Sequence, residues 1–122
     1  MTDRSEGSFY GRRKGKPLSP RREALMENEL PRLALDLSAP APGDPGDLFE
    51  GDVVDICLEV GFGGGEHLLH RARTNPQTGF VGVEPFVGSM AKAVAAVVDE
   101  GLANVRLYDD DAVNVLDWLP EA

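Results

Sequence analysis

Four glycines fall within five positions (Gly61, Gly63, Gly64 and Gly65), directly behind a short apolar run, Val53 to Val60 (VVDICLEV). Glycine loses more backbone freedom on folding than any other residue, so a cluster this dense is costly for a plain turn. It points to a backbone that bends sharply and lets a ligand come close. The run in front is mostly apolar and rich in β-branched residues, the pattern of a buried parallel strand. Behind the glycines, Leu68, Leu69 and Ala72 recur at helical spacing within Glu66 to Arg73. Strand, glycine turn and helix in that order form the geometry of a nucleotide-binding loop.

The pattern then repeats without the glycines. Phe80 to Val83 reads as a second strand, ending at Glu84 and Pro85. Ser89 to Glu100 reads as a helix with Met90, Ala93, Val94, Val97 and Val98 on its apolar side, and Gly101 as the residue that ends it. Val105 to Tyr108 reads as a third strand. Asp109 to Asp111 open a last helix carrying Val113, Val115, Leu116 and Leu119. Alternating strands and helices with short links predict an α/β fold built on a parallel sheet. Upstream, Ala39 to Asp47 (APAPGDPGD) is a Pro/Gly linker, and Arg22 to Leu37 is a short helix candidate interrupted by Pro31. The expected division is 1–50 for a basic arm, short helix and linker, and 51–122 for the α/β part. At 122 residues the chain has room for one domain.

Charge divides the chain at nearly the same place. The formal net charge is -9, yet residues 1–32 hold eight bases against five acids, a balance of +3. The remainder holds four bases against sixteen acids, or -12. Tyr10 to Arg22 carries six bases and no acid, with Gly11, Gly15, Pro17 and Pro20 opposing a helix. It is expected to be extended. One reading is a solvated tail. The other is an arm contacting nucleic-acid phosphates, with Tyr10 available to stack on a base. No apolar run reaches the ~20 residues of a membrane span, and the first residues lack the apolar core of a secretory signal. The single cysteine, Cys57, excludes a disulfide framework and fits a reducing, cytoplasmic setting.

Which ligand the loop takes depends on its flanks. A phosphate-cradling loop needs Gly-Lys-Ser/Thr, but Glu66 follows Gly65. A dinucleotide fingerprint needs a sixth-place glycine where Glu66 stands, and an acid there would repel a pyrophosphate. The pattern that fits is E-x-G-x-G-x-G, formed by Glu59, Gly61, Gly63 and Gly65. A carboxylate at the strand end suits a ligand with an ammonium or sulfonium group, as in S-adenosylmethionine. Glu84, at the end of the second strand, is placed to accept hydrogen bonds from ribose hydroxyls. That role does not separate NAD from S-adenosylmethionine, and a solvated loop acid is the plain alternative. Asp111 could accept from an adenine amino group or cap the last helix, and position alone leaves both open.

Other residues are weaker candidates. His67 and His70 lie three apart without a second ligand pair, which favours a surface role over a metal. Cys57, Phe80 and Trp118 are expected to pack, and Phe62 to line the ligand pocket.

The segments LEVGFGGGEHLLHRA, GFVGVEPF and NVRLYDDDAVNVL, in this order, resemble the bacterial tRNA (guanine-N7-)-methyltransferase family. The upstream FYGRRKGKPLSPRR resembles that family's basic N-terminal segment, so the likeness runs from about Ser8 onward. It implies a Rossmann-like methyltransferase fold and transfer of a methyl group from S-adenosylmethionine to N7 of a guanine in the tRNA variable loop. By motif it implies that Glu59, Gly61, Glu84 and Asp111 bind the cofactor. Pro85 and Phe86 replace a Val-His pair often found after the second-strand acid.

The family continues with a fourth strand and a Pro-Asp-Pro-Trp segment that carries a proposed catalytic Asp and tRNA contacts. The sequence ends at Ala122 before any such segment. The resemblance therefore implies that the C-terminal half of the fold is missing and that the catalytic residue lies outside this chain. The first strand, central in the family, is then expected to leave an open apolar edge, and the isolated chain to transfer methyl groups weakly or not at all. Two rival readings are an NAD-type nucleotide-binding module and a non-catalytic RNA-binding protein that uses the basic arm.

Overall fold

The structure, a computed structural model, describes residues 17–120. Three strands, β1 (Asp55–Val60), β2 (Thr78–Val83) and β3 (Val105–Tyr108), form a parallel sheet in the order β1-β2-β3. Five α-helices accompany them: α1 (Pro20–Asn28), α2 (Leu30–Leu33), α3 (Glu66–Thr74), α4 (Val87–Glu100) and α5 (Ala112–Trp118). The expected alternation of strand and helix from β1 to α5 is present, and the fold is α/β with a parallel sheet.

Alternation along the strands divides the core between the two faces of the sheet. Phe80, Val105 and Leu107 point to one face, where they meet Leu68, Leu69 and Ala72 of α3 and Met90, Ala93, Val94 and Val97 of α4. Val81 and Val83 point to the other face, where they meet Leu35, Phe49 and Val115. Strand β2 is the hub. Its two glycines leave room on opposite faces for aromatic rings from outside the sheet. A Cβ on Gly82 would lie 2.8 Å from side-chain atoms of both Phe62 and Leu68. A Cβ on Gly79 would collide with the Phe49 ring.

The segment before the linker joins this core. Ser19 caps α1 by accepting from the Arg22 N–H, and Pro20 takes the first helical position, where its missing N–H is no loss. The expected extended arm therefore ends before Pro20, and its stretch from Tyr10 to Lys16 lies outside the described residues. Arg21 is engaged with Asp99 of α4 at 2.6 Å. The expected helix over Arg22–Leu37 divides at Glu29, because Pro31 has no N–H with which to continue the ladder. Leu35 and Leu37 lie beyond both helices. Ala34 bridges to Leu107, and the Leu35 N–H donates to the Leu107 carbonyl, which fixes this segment beside β3.

Several boundaries shift by a turn or less. β1 starts at Asp55, leaving Val54 70% exposed, and β2 starts two residues early at Thr78. α4 begins at Val87 and ends at Gly101, which takes φ +64° as the sequence suggests. In α5 only Val115 is buried. Val113 and Leu116, expected on its apolar side, are exposed, and Leu119 lies past its end.

At the far end of the sheet, buried Asn104 holds three segments together. Its amide nitrogen donates to the carbonyls of Ala72 in α3, Asn75 in the following turn and Thr78 of β2, at 2.9–3.1 Å. Nearby, Arg73 of α3 donates two bonds to Glu100 of α4 and holds that carboxyl below the usual carboxylate range. This tie is complete above the ordinary carboxylate pKa and is lost as pH falls through the lowered value.

Two outcomes follow. Asn104→Asp, which replaces the donor by an acceptor facing three carbonyls, should cost at least as much stability as Asn104→Ala, itself about 1–3 kcal/mol, in urea unfolding. Gly82→Ala should cost about 1–3 kcal/mol in the same assay, because Phe62 and Leu68 must move.

Candidate functional site

The parallel register aligns the carboxyl ends of the strands. Val60 lies beside Val83, and Val83 beside Tyr108. Two further bonds carry the alignment into the loops: the Gly61 N–H donates to the Val83 carbonyl, and the Glu84 N–H to the Tyr108 carbonyl. The glycine loop, Glu84 and the Asp109–Asp111 segment thus share one edge of the sheet. In open α/β sheets ligands bind at this edge.

Within the loop, Gly61, Gly63 and Gly65 adopt φ of +66°, +60° and +83°, which other residues reach only with strain. Around Gly61 and Gly63 an added Cβ would meet nothing within 4 Å. Their requirement is conformational, and the space beside them is open for a ligand. Gly64 differs: a Cβ there would lie 3.3 Å from Lys92 Nζ, which reaches over from α4. Lys92 also pairs with Glu66 at 3.5 Å.

Glu84 is buried and fastens the loop. Its Oε1 accepts from the Gly63 N–H at 2.9 Å, and its Oε2 from the Phe86 N–H at 3.2 Å. A carboxylate has about four acceptor positions, so capacity remains for ligand hydroxyls. The sequence placed Glu84 at the edge but gave no sign that it also holds the loop.

Glu59 lies on β1 beside Gly82, so its side chain is on the α3 face. Its nearest cation is Arg71 of α3, with Nη1 3.7 Å from Oε1, too far for a hydrogen bond. Glu59 Oε1 is buried and has no hydrogen-bond partner among the described residues. A buried carboxylate oxygen without a donor costs stability, and a cationic ligand would supply one.

Asp111 caps α5: its Oδ1 accepts from the Val113 N–H at 3.0 Å. Of the two roles left open by the sequence, the cap is the one present here. Phe62, expected to line the ligand pocket, is buried. Its side chain turns inward and joins the core against Gly82. Cys57, Phe80 and Trp118 all pack, and the Trp118 indole N–H also donates to the Ala39 carbonyl. His67 and His70 are exposed, and among the described residues no three His, Cys, Asp or Glu side chains gather as a metal site would require.

A family model described as "Putative methyltransferase" matches residues 54–121. The chain belongs to this methyltransferase family. The match runs from β1 through α5 and includes Glu59, Gly61, Glu84 and Asp111. Among curated relatives, a protein named tRNA (guanine-N(7)-)-methyltransferase from Rhizobium meliloti is 58% identical over 119 residues, 98% of this chain and 51% of its own length. One of the same name from Agrobacterium fabrum is 58% identical over 97% of this chain and 51% of its own. The Brucella abortus protein, also so named, is 56% identical over 98% and 51%. The chain thus spans about half the length of the curated relatives it matches.

The double role of Glu84 has a consequence without any ligand. Glu84→Ala should lower stability by about 1.5–3 kcal/mol and speed amide hydrogen exchange at Gly63 and Phe86. Unchanged exchange at Gly63 would show that the carboxylate does not hold the loop.

Proposed function

We propose that this chain is the cofactor-binding part of a tRNA (guanine-N7-)-methyltransferase that uses S-adenosylmethionine. The carrying observation is the buried, donorless Glu59 Oε1 beside an open glycine loop. That arrangement suits a ligand with a positively charged amino acid end, and it disfavours the pyrophosphate of a dinucleotide. When bound, S-adenosylmethionine supplies an electrophilic methyl group carried on a sulfonium.

The residues divide the work by chemistry. Glu59 attracts the cationic end. The open backbone at Gly61 allows close approach. Glu84 accepts from ribose hydroxyls with the capacity its loop bonds leave over. Asp111 receives the adenine amino group with the carboxylate oxygen not used as a cap.

The tRNA substrate follows from relatives named tRNA (guanine-N(7)-)-methyltransferase, at 55–58% identity. Guanine N7 carries a lone pair and no proton, so transfer needs no base to deprotonate it first. Orientation of the two reactants is the main contribution required of the enzyme. No residue of this chain is assigned a proton-transfer role. The four bases from Arg12 to Lys16 would face the tRNA phosphates and offset the acidic remainder, whereas Arg21 is paired with Asp99. A cytoplasmic location goes with this reading, and no described helix is long and apolar enough to cross a membrane.

Calorimetric titration tests the cofactor. The chain should bind S-adenosylmethionine in preference to NADH, and Glu84→Ala should weaken that binding about tenfold or more. Preference for NADH would overturn the assignment. For the substrate, mass spectrometry of tRNA from cells with the gene deleted should show loss of N7-methylguanosine, and an unchanged level would refute it.

A further inference from the structure

Arg71 has no role assigned above, yet among the described residues it is the cation paired with Glu59. It lies on α3 five residues after Glu66, with its Cζ 5.3 Å from the centroid of the Phe80 ring and its Nη1 3.7 Å from Glu59 Oε1. Phe80 sits beside Cys57 of β1, and Gly82 beside Glu59. Arg71 therefore lies along the same sheet face as the carboxylate, with its guanidinium over the ring. Its side chain is 42% exposed, whereas that of Glu59 is 21% exposed.

Two facts about this pair conflict unless it is temporary. The charges are close enough to attract. The Glu59 oxygen nonetheless has no hydrogen bond from Arg71 or from any other group among the described residues. A guanidinium with five N–H donors is well suited to bidentate contact with a carboxylate. Here it stops short and rests on an aromatic face, the alternative such a cation favours.

We infer that Arg71 is a placeholder for the positive end of the ligand. It partly neutralises Glu59 while the site is empty and gives way when the ligand's ammonium takes the unused oxygen. This rests on the S-adenosylmethionine reading above and extends it to a residue that acts on the ligand through Glu59. Because no hydrogen bond is broken, displacement costs only the loose Coulomb attraction of a part-exposed pair. The cost is nevertheless real, and it lowers affinity for any ligand that brings its own cation to Glu59.

The sign of this effect makes it testable. The 122-residue chain is titrated with S-adenosylhomocysteine, which keeps the ammonium and has no sulfonium charge. It is also titrated with 5′-methylthioadenosine, which lacks the amino acid end. Arg71→Met and Arg71→Gln, two charge-free replacements of different polarity, should each bind S-adenosylhomocysteine about two- to fivefold tighter. Their affinity for 5′-methylthioadenosine should not change. Arg71→Lys, which restores the charge, should return the affinity towards the original. In a Glu59→Gln background the gain should vanish.

Equal or weaker binding of S-adenosylhomocysteine by the charge-free variants would overturn the placeholder role and make Arg71 a support for Glu59. An equal gain for 5′-methylthioadenosine, or a gain that survives Glu59→Gln, would overturn it as well. Failure of the cofactor reading itself looks different: the unsubstituted chain would bind neither compound, and the placeholder role would fall with it.

Discussion

A single carboxylate joins the glycine loop to the sheet. Glu84 leaves the end of β2, takes the Gly63 N–H on one oxygen and the Phe86 N–H on the other, and donates its own N–H to Tyr108. The first bond sets the height of the loop above the sheet. The second sets the entry into α4, whose N-cap residue Phe86 has no side-chain capping bond of its own. The third ties the β2 end to β3 at Tyr108, directly before the Asp109–Asp111 segment. Anionic acceptors form stronger hydrogen bonds than neutral ones, so the glycine loop and the entry into α4 are held by one buried charge. This edge of the sheet is ordered by the protein's own bonds.

Charge placement across the domain follows the same economy. Three acids at this edge are committed to backbone N–H groups or lie beside a cation: Glu84 to Gly63 and Phe86, Asp111 to Val113, Glu59 near Arg71. Bases outside the arm serve as ties between elements, as Arg73 does between α3 and α4. Arg106 is half-buried near Phe49, where loss of water lowers its pKa from the usual guanidinium value and the nearby Glu50 opposes that shift. A net charge of -9 thus describes the surface and says little about the site.

Much of the architecture from β1 onward could be read from the residues, because period and composition agree there. VVDICLEV, the glycines and the Leu68-Leu69-Ala72 spacing have one shared solution, and the Gly101 stop is local chemistry. The failures are long-range. Leu35 and Leu37 look helical beside Leu30 and Leu33, but a bridge to Leu107, 73 positions away from Ala34, draws that segment out straight. Val113 and Leu116 follow a helical apolar pattern, yet of that helix only Val115 is buried among the described residues. Within the site, the spacing of Glu59, Gly61, Glu84 and Asp111 indicated where they would lie. It gave no information on which atoms they hold, and nothing in the spacing marked Arg71 as the partner of Glu59.

Phe62 changes what kind of loop this is. Its ring fills the space left by Gly82, so the glycine segment is rooted in the core at its second residue. Swinging the loop outward would withdraw that ring and leave a void in the packed face of the sheet, a change that costs about 3–5 kcal/mol when made by truncating a buried phenylalanine. The loop therefore behaves as a wall and not as a door. The open side of this wall is the backbone of Gly61 and Gly63, where an added Cβ would meet nothing within 4 Å.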